Sequence, residues 1–87
     1  MDNVRYNRIK AVLAEQDKTG TWLSEQMGRN LGTVSRWMTN KIQPSVEQLF
    51  DIAKHLDVDV RELLVSTYMT GASPLSTAIK ENFSQTR

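Results

Sequence analysis

Residues 23–38 read Leu-Ser-Glu-Gln-Met-Gly-Arg-Asn-Leu-Gly-Thr-Val-Ser-Arg-Trp-Met, and this stretch predicts two short helices joined by a tight turn. Leu23 and Met27 are four residues apart and therefore share one face of the first helix. Gly28 can adopt the positive φ that a sharp helix exit requires, at no steric cost. Asn30 is a favourable N-cap for the second helix.

The second predicted helix has one apolar side and one polar side. Val34, Trp37 and Met38 occupy positions i, i+3 and i+4, so we expect them to be buried together. Ser24 in the first helix is small enough to let the second helix approach closely. The outward side is polar, carries Arg36 and contains no acidic residue. Donors, acceptors and positive charge are what a face needs to enter a duplex groove.

The pattern Leu-small-x-x-Met-Gly-x-Asn-x-x-Thr-Val-Ser-Arg-Trp is followed by Asn40-Lys41 and Pro44-Ser45. This pattern resembles the lambda-repressor-like helix-turn-helix family, also called the Cro/CI-type or XRE family, over roughly residues 4–65. The resemblance implies a sequence-specific regulator of transcription that binds double-stranded DNA. Such a protein places its recognition helix, here at about residues 30–38, in the major groove and binds a two-fold site as a homodimer.

The resemblance and the helix positions together predict which residues meet DNA. The residues expected to read bases are Asn30, Leu31, Gly32, Thr33, Ser35 and Arg36. The residues expected to contact the DNA backbone, at the start of the preceding helix and in the loop after the recognition helix, are Thr19, Thr21, Trp22, Thr39, Asn40, Lys41 and Gln43. The structural core of the motif is expected to be Leu23, Ser24, Met27, Gly28, Val34 and Trp37.

Several of these residues also have a plainer interpretation. Arg36 and Lys41 can be solvated surface charges, as most exposed basic residues are. The ring of Trp22 can pack inside the fold, which still allows its indole N–H to reach a phosphate oxygen. Gly32 departs from the polar residues often found at its position in the family and has no side chain with which to read a base.

Three further helices are predicted around the motif. The first spans about residues 4–16, with Asn3 as its cap and an apolar stripe made of Ile9, Val12 and Leu13. The fourth follows the capping-box pair Ser45 and Gln48. Its buried side is expected to consist of Leu49, Ile52, Ala53 and Leu56. The fifth follows Asp59, and its apolar side is expected to consist of Val60, Leu63 and Leu64.

The predicted fold class is therefore all-α. We expect a compact five-helix lambda-repressor-like DNA-binding domain at residues 1–66 and a C-terminal tail at residues 67–87. The tail reads as a linker followed by a short sixth helix, because Ser73-Pro74 can begin a helix and Leu75, Ile79 and Phe83 are four residues apart. Such a short helix is marginal alone in water, so it must dock or fray.

Composition narrows the classes of protein. The 87 residues include no cysteine, which excludes disulfides and thiolate metal sites and fits a cytoplasmic protein. No apolar run is long enough to span a bilayer, so no membrane partner is expected. Residues 1–44 contain seven Lys/Arg and four Asp/Glu, whereas residues 45–87 contain four and six. Positive charge thus accompanies the helix-turn-helix half, although an asymmetry of this size also arises by chance.

The alternative to a DNA-binding regulator is an antitoxin-type or other protein-interaction module with the same fold. Its clue is the separable tail at residues 67–87, which can wrap a toxin or another protein partner. An enzyme is not expected, because the sequence has no paired carboxylates with a cleft, no nucleophile–base pair and no Gly-rich phosphate loop. No cofactor and no metal are predicted.

Overall fold

The computed structural model describes residues 4–68, which form four α-helices and one 3-10 turn. The elements are α1 (Ile9–Glu15), α2 (Gly20–Met27), α3 (Leu31–Met38), α4 (Val46–Leu56) and the 3-10 turn (Val60–Leu63). The all-helical class is confirmed for this part of the chain. The sixth helix, the cap Asn3 and nearly all of the tail on which the antitoxin-type alternative rests lie outside the described residues.

The fifth predicted helix is a four-residue 3-10 turn instead of an α-helix. The side chain of Asp59 does cap it, but the carboxylate accepts from the backbone N–H of Arg61, only two residues on. The chain then leaves the turn at Leu64, which is extended and forms an antiparallel bridge with Asn7. The bridge to Asn7 ends the turn before it can lengthen into an α-helix. The described residues therefore form four α-helices where five helices were expected.

The first helix is shorter than predicted, because residues 4–8 lie outside it. Asn7 Oδ1 accepts from the N–H of Ile9 at 3.0 Å, a side-chain bond that competes with helix formation at this point. The neighbouring backbone is used by the other end of the domain: Arg8 N donates to Leu63 O at 2.8 Å, and Val65 N donates to Tyr6 O at 2.9 Å. The expected start near residue 4 was therefore wrong.

The core contains one apolar stripe from each helix, together with one leucine of the 3-10 turn. The stripes of α1 and α4 are those that the helical spacing predicted. The buried apolar residues are Ile9, Val12, Leu13, Leu23, Val34, Trp37, Leu49, Ile52, Ala53, Leu56 and Leu63. Trp37 is 2% exposed, so α3 is anchored to the core by the largest side chain in it.

Each of the four helices is followed, within two residues of its end, by a residue with positive φ. These residues are Asp17 (60°), Gly28 (66°), Asn40 (62°) and Asp57 (58°). The N–H after each one reaches back to a carbonyl five residues earlier, as Lys41 N does to Arg36 O at 2.9 Å, which is the bond of a Schellman motif. Only one of the four positions is a glycine; Asn and Asp tolerate the left-handed region better than other residues.

The predicted helix-turn-helix is present with its caps. Thr19 caps α2 and Asn30 caps α3, and Gly28 makes the turn between the two helices. Ser24 is buried, and its hydroxyl donates to Thr21 O, so the small side chain leaves room for α3. Gly20 also matters for the approach of the two helices, because a Cβ there would lie 2.7 Å from the sulfur of Met38 in the last turn of α3.

Candidate nucleic-acid interface

The outward side of α3 is open to solvent. Five of the six residues predicted to read bases are exposed: Asn30, Leu31, Gly32, Ser35 and Arg36. Thr33, the sixth, is half-buried. Val34 (0% exposed) and Trp37 (2%) hold the opposite side of the helix in the core. The helix therefore presents a polar surface with a leucine, 47% exposed, at its leading end.

Gly32 leaves a gap that the neighbouring side chains border. A Cβ at this position would lie 3.3 Å from Asn30 Oδ1 and 3.8 Å from Arg36 Nη1. The guanidinium of Arg36 thus extends back along the helix toward its first turn, over the residue that has no side chain. A glycine in a helix costs up to about 1 kcal/mol relative to alanine, and here the missing Cβ leaves room for the capping oxygen of Asn30, which a Cβ would approach to 3.3 Å.

The first turns of α2 and α3 have the features of anion-binding helix ends. Thr19 Oγ1 accepts from Trp22 N at 3.0 Å, and Asn30 Oδ1 accepts from Thr33 N at 2.8 Å. The earlier N–H groups of each first turn have no helical partner. Neither first turn contains an acidic residue, whereas that of α4 contains Glu47. A phosphate at either end therefore meets free N–H groups and no nearby carboxylate in that turn.

Trp22 is half-buried and packs against the core. The ammonium of Lys18 lies 4.5 Å from the centre of its ring, which is the geometry of a cation–π contact. The ring of Trp22 therefore packs against the fold, as the plainer of the two interpretations expected. Its indole contact with phosphate stays a prediction. The exposed threonines Thr19 and Thr21 lie at the same end of α2.

The loop after α3 divides into residues that face solvent and residues that serve the fold. Lys41 is exposed, as is Thr39, whose hydroxyl donates to Ser35 O at 3.0 Å. Asn40, in contrast, is 7% exposed, and its side chain is used inside the protein. Gln43 is exposed as a residue, but its amide donates to Asn40 and accepts from Asn7. The side chains of Asn40 and Gln43 therefore have structural partners where we had expected DNA backbone contacts.

A network of three amides, two of them buried, connects this loop to the N-terminal segment. Asn40 Oδ1 accepts from Tyr6 N and Asn7 N, both at 2.9 Å, and Asn40 Nδ2 donates to Asn7 O at 3.2 Å. Asn7, 3% exposed, donates to Trp37 O at 2.9 Å and to Gln43 Oε1 at 2.8 Å. No buried side-chain nitrogen or oxygen in the described range lacks a partner.

Sequence reasoning missed some residues near this surface. Arg29 is exposed and lies in the turn directly before the cap of α3. Its position in the motif, next to the start of the recognition helix, could have identified it as a candidate DNA contact. Within residues 4–68, Arg29, Arg36 and Lys41 are in no ion pair; the pairs that form there are Arg8–Glu15 and Arg61–Asp59. The role of Asn7 had no local signal, because its partners on α3 and in the following loop are 30 or more positions away.

Other kinds of site find no support in the described part of the chain. It contains no group of three or more His, Cys, Asp or Glu residues placed to hold a metal ion. None of its helices has the length and apolar character needed to cross a bilayer.

Comparisons with known proteins agree with this geometry. The model of the family HTH_3, described as helix-turn-helix, matches residues 9–63. A solved structure from Bacteroides fragilis, described as a "putative DNA-binding protein", is 52% identical with a TM-score of 0.67, over 68% of this chain and 95% of that chain. A transcriptional regulator from Listeria innocua has a TM-score of 0.57 over 97% of this chain and 80% of that chain. At 17% identity, the second likeness concerns the fold alone.

A search of curated proteins found no match. The matched family and the Bacteroides fragilis neighbour point to a non-enzymatic protein. The family match covers more than half of the chain and includes both helices of the motif, their caps and the turn at Gly28. The chain therefore belongs to the XRE-type helix-turn-helix family HTH_3, as the resemblance of residues 23–45 predicted.

Proposed function

We propose that this protein is a sequence-specific regulator of transcription that inserts α3 into the major groove of double-stranded DNA. The observation that carries the proposal is the exposed, acid-free side of α3 with Arg36 on it. A helix of eight residues is about 12 Å long, close to the roughly 12 Å width of the major groove. The solved structure described as a "putative DNA-binding protein", 52% identical to this chain, supports the same ligand.

The residues of α3 have different roles in this proposal. Arg36 donates to O6 and N7 of a guanine or grips a phosphate. Leu31, exposed at the leading end, contacts the methyl group of a thymine. Ser35 and Thr33 are short and bond a base edge or a phosphate. Gly32 contributes no side chain, so the specificity of the middle of the site depends on how closely the backbone approaches.

The flanking elements position the helix on the DNA backbone. The first turn of α2, with Thr19 and Thr21, offers N–H groups and hydroxyls to one phosphate. Lys41 and Arg29, at the two ends of α3, add positive charge that sequence-independent binding requires. Asn40 and Gln43 hold the loop that carries Lys41, so we leave their side chains out of the proposed contacts.

We further propose that the protein works as a homodimer on a two-fold DNA site in the cytoplasm. One small module contacts few base pairs, and a second module joined to it adds affinity by linkage. The apolar residues of the 3-10 turn are used inside the domain, because Leu63 is 0% exposed and Val60 is half-buried. Sedimentation of the full chain against a chain ending at Ser66 tests whether the tail makes the dimer.

Selection from a random duplex pool, followed by fluorescence anisotropy, tests the proposed function. We expect Arg36→Ala to weaken the selected site by about 1–3 kcal/mol and to relax one base position. Lys41→Ala is expected to weaken all sequences alike and to lower the salt slope by about 1. Lys54→Ala is the control, because Lys54 is also exposed but lies on α4. Equal binding by all three variants would contradict the proposal.

A further inference from the structure

Asn7 occupies a position that only a side chain with both a donor and an acceptor can fill. Its Oδ1 accepts from Ile9 N at the start of α1, and its Nδ2 donates to Trp37 O in the last turn of α3. Both partners are backbone groups whose polarity is fixed, so they determine which end of the amide is oxygen. The side chain thus joins the beginning of one helix to the end of another while 3% exposed.

The same amide also reaches the loop that follows α3. Asn7 Nδ2 donates to Gln43 Oε1 at 2.8 Å, and the backbone of Asn7 bonds both ends of the Asn40 side chain. The loop residue Lys41 lies between Asn40 and Gln43, and its N–H is bonded to Arg36 O. The path of the loop is therefore held on each side of Lys41 by bonds that lead to Asn7.

We propose that Asn7 is a positioning residue for the DNA-facing surface: it holds the last turn of α3 and the Lys41 loop in the geometry that reaches the DNA backbone. This inference rests on the proposed function. Asn7 lies before residues 9–63, the range that the family model matches. A residue outside the matched range would therefore support the surface that meets DNA. Asn7 itself touches no DNA, because it is buried.

The test uses Asn7→Ser in the full-length protein. A serine hydroxyl can still accept from the N–H two residues on, which preserves the start of α1. It is too short to replace the bonds to Trp37 O and Gln43 Oε1, so it removes these two side-chain bonds and leaves the backbone bonds from Asn7 to Asn40 in place. Val12→Ala is the matched control: Val12 is 2% exposed in α1, the helix that follows Asn7, and lies outside the network, and its truncation destabilises the fold generally.

The first readout is amide hydrogen exchange at Lys41 and Ile42, whose N–H groups are bonded to Arg36 O. We expect Asn7→Ser to accelerate exchange at these two amides by at least about tenfold more than Val12→Ala does, after each is referred to its own global stability. Equal acceleration in the two variants would overturn the proposal. This readout involves no DNA, so it decides the positioning role separately from the proposed function.

The second readout is a double-mutant cycle in DNA affinity. We expect Asn7→Ser to weaken binding of the selected duplex by about 3- to 10-fold in the wild-type background. In the Lys41→Ala background the same change should weaken binding less than about 2-fold, because the residue that it positions is absent. Equal losses in both backgrounds would overturn the proposal. If the wild-type protein selects no duplex at all, the proposed function fails while the exchange result still stands.

Discussion

Replacement of Asn40 by alanine or by glycine separates two contributions of one residue. The side chain of Asn40 accepts from Tyr6 N, Asn7 N and Gln43 Nε2 and donates to Asn7 O. Its backbone has φ 62°, in the left-handed region. Alanine loses the hydrogen bonds and is also strained at this φ, whereas glycine loses the hydrogen bonds without the strain.

The magnitudes follow from the groups that lose their partners. Each buried backbone donor or acceptor left unsatisfied costs about 1–3 kcal/mol, and both Asn7 N and Asn7 O become such groups, so Asn40→Gly should lower the free energy of unfolding by about 2–6 kcal/mol. Asn40→Ala should lower it by a further 1 kcal/mol or so, from the left-handed backbone. Losses of this size are a large part of the total stability of a small domain, about 5–15 kcal/mol.

Urea unfolding followed by tryptophan fluorescence measures both values, because Trp37 is buried in the native state. Lys41→Ala is the control; its side chain is exposed, so we expect a change within about 0.5 kcal/mol. Costs below about 1 kcal/mol for both variants, at unchanged m-value, would mean that water replaces the network. A glycine variant as unstable as the alanine variant would refute the backbone part of the reasoning.

Three further predictions concern single positions. Asp57→Gly should raise the free energy of unfolding by about 0.5 kcal/mol. Asp57 has φ 58°, which glycine adopts without strain, and its carboxylate places a negative charge at the carbonyl end of α4. A thermal melt measures the change. Ser45→Ala should lower it by about 1 kcal/mol by removing the capping box of α4, also seen in urea unfolding. The side-chain and backbone hydrogen bonds from Arg61 lower the pKa of Asp59 in the folded state. The stability from Asp59 is therefore present above the ordinary carboxyl pKa and is lost as pH falls through the lowered value, so melting temperatures of wild type and Asp59→Asn should converge in acid.

The exposed side of α3 was predicted residue by residue, whereas the roles in the following loop were not. Helical spacing alone places Ser35 and Arg36 away from Val34 and Trp37 and places Leu31 at the edge of the core, because the period of an α-helix does not depend on its neighbours. Loop residues have no such period. Asn40 adopts a left-handed backbone with φ 62°, which asparagine tolerates better than most residues, but its buried amide partners depend on the N-terminal segment that packs beside it.

The parts of this protein that its sequence determined alone are those made by bonds between near neighbours. Thr19, Asn30 and Ser45 each cap a helix by accepting from an N–H three residues away, and such a bond forms wherever the local backbone is helical. The turn at Gly28 is local in the same sense.

The tertiary structure decided the late start of α1, the shortness of the last turn and the burial of Asn40. In each case the deciding hydrogen bonds join residues far apart in the chain, such as Asn7 N to Asn40 Oδ1 and Arg8 N to Leu63 O. The local pattern of residues 4–8 favours a helix, but helix propensity contributes only roughly a few tenths of a kcal/mol per residue. The buried hydrogen bonds that these residues make with distant segments are worth more than that. Those bonds exist only after the core has brought both ends of the domain together.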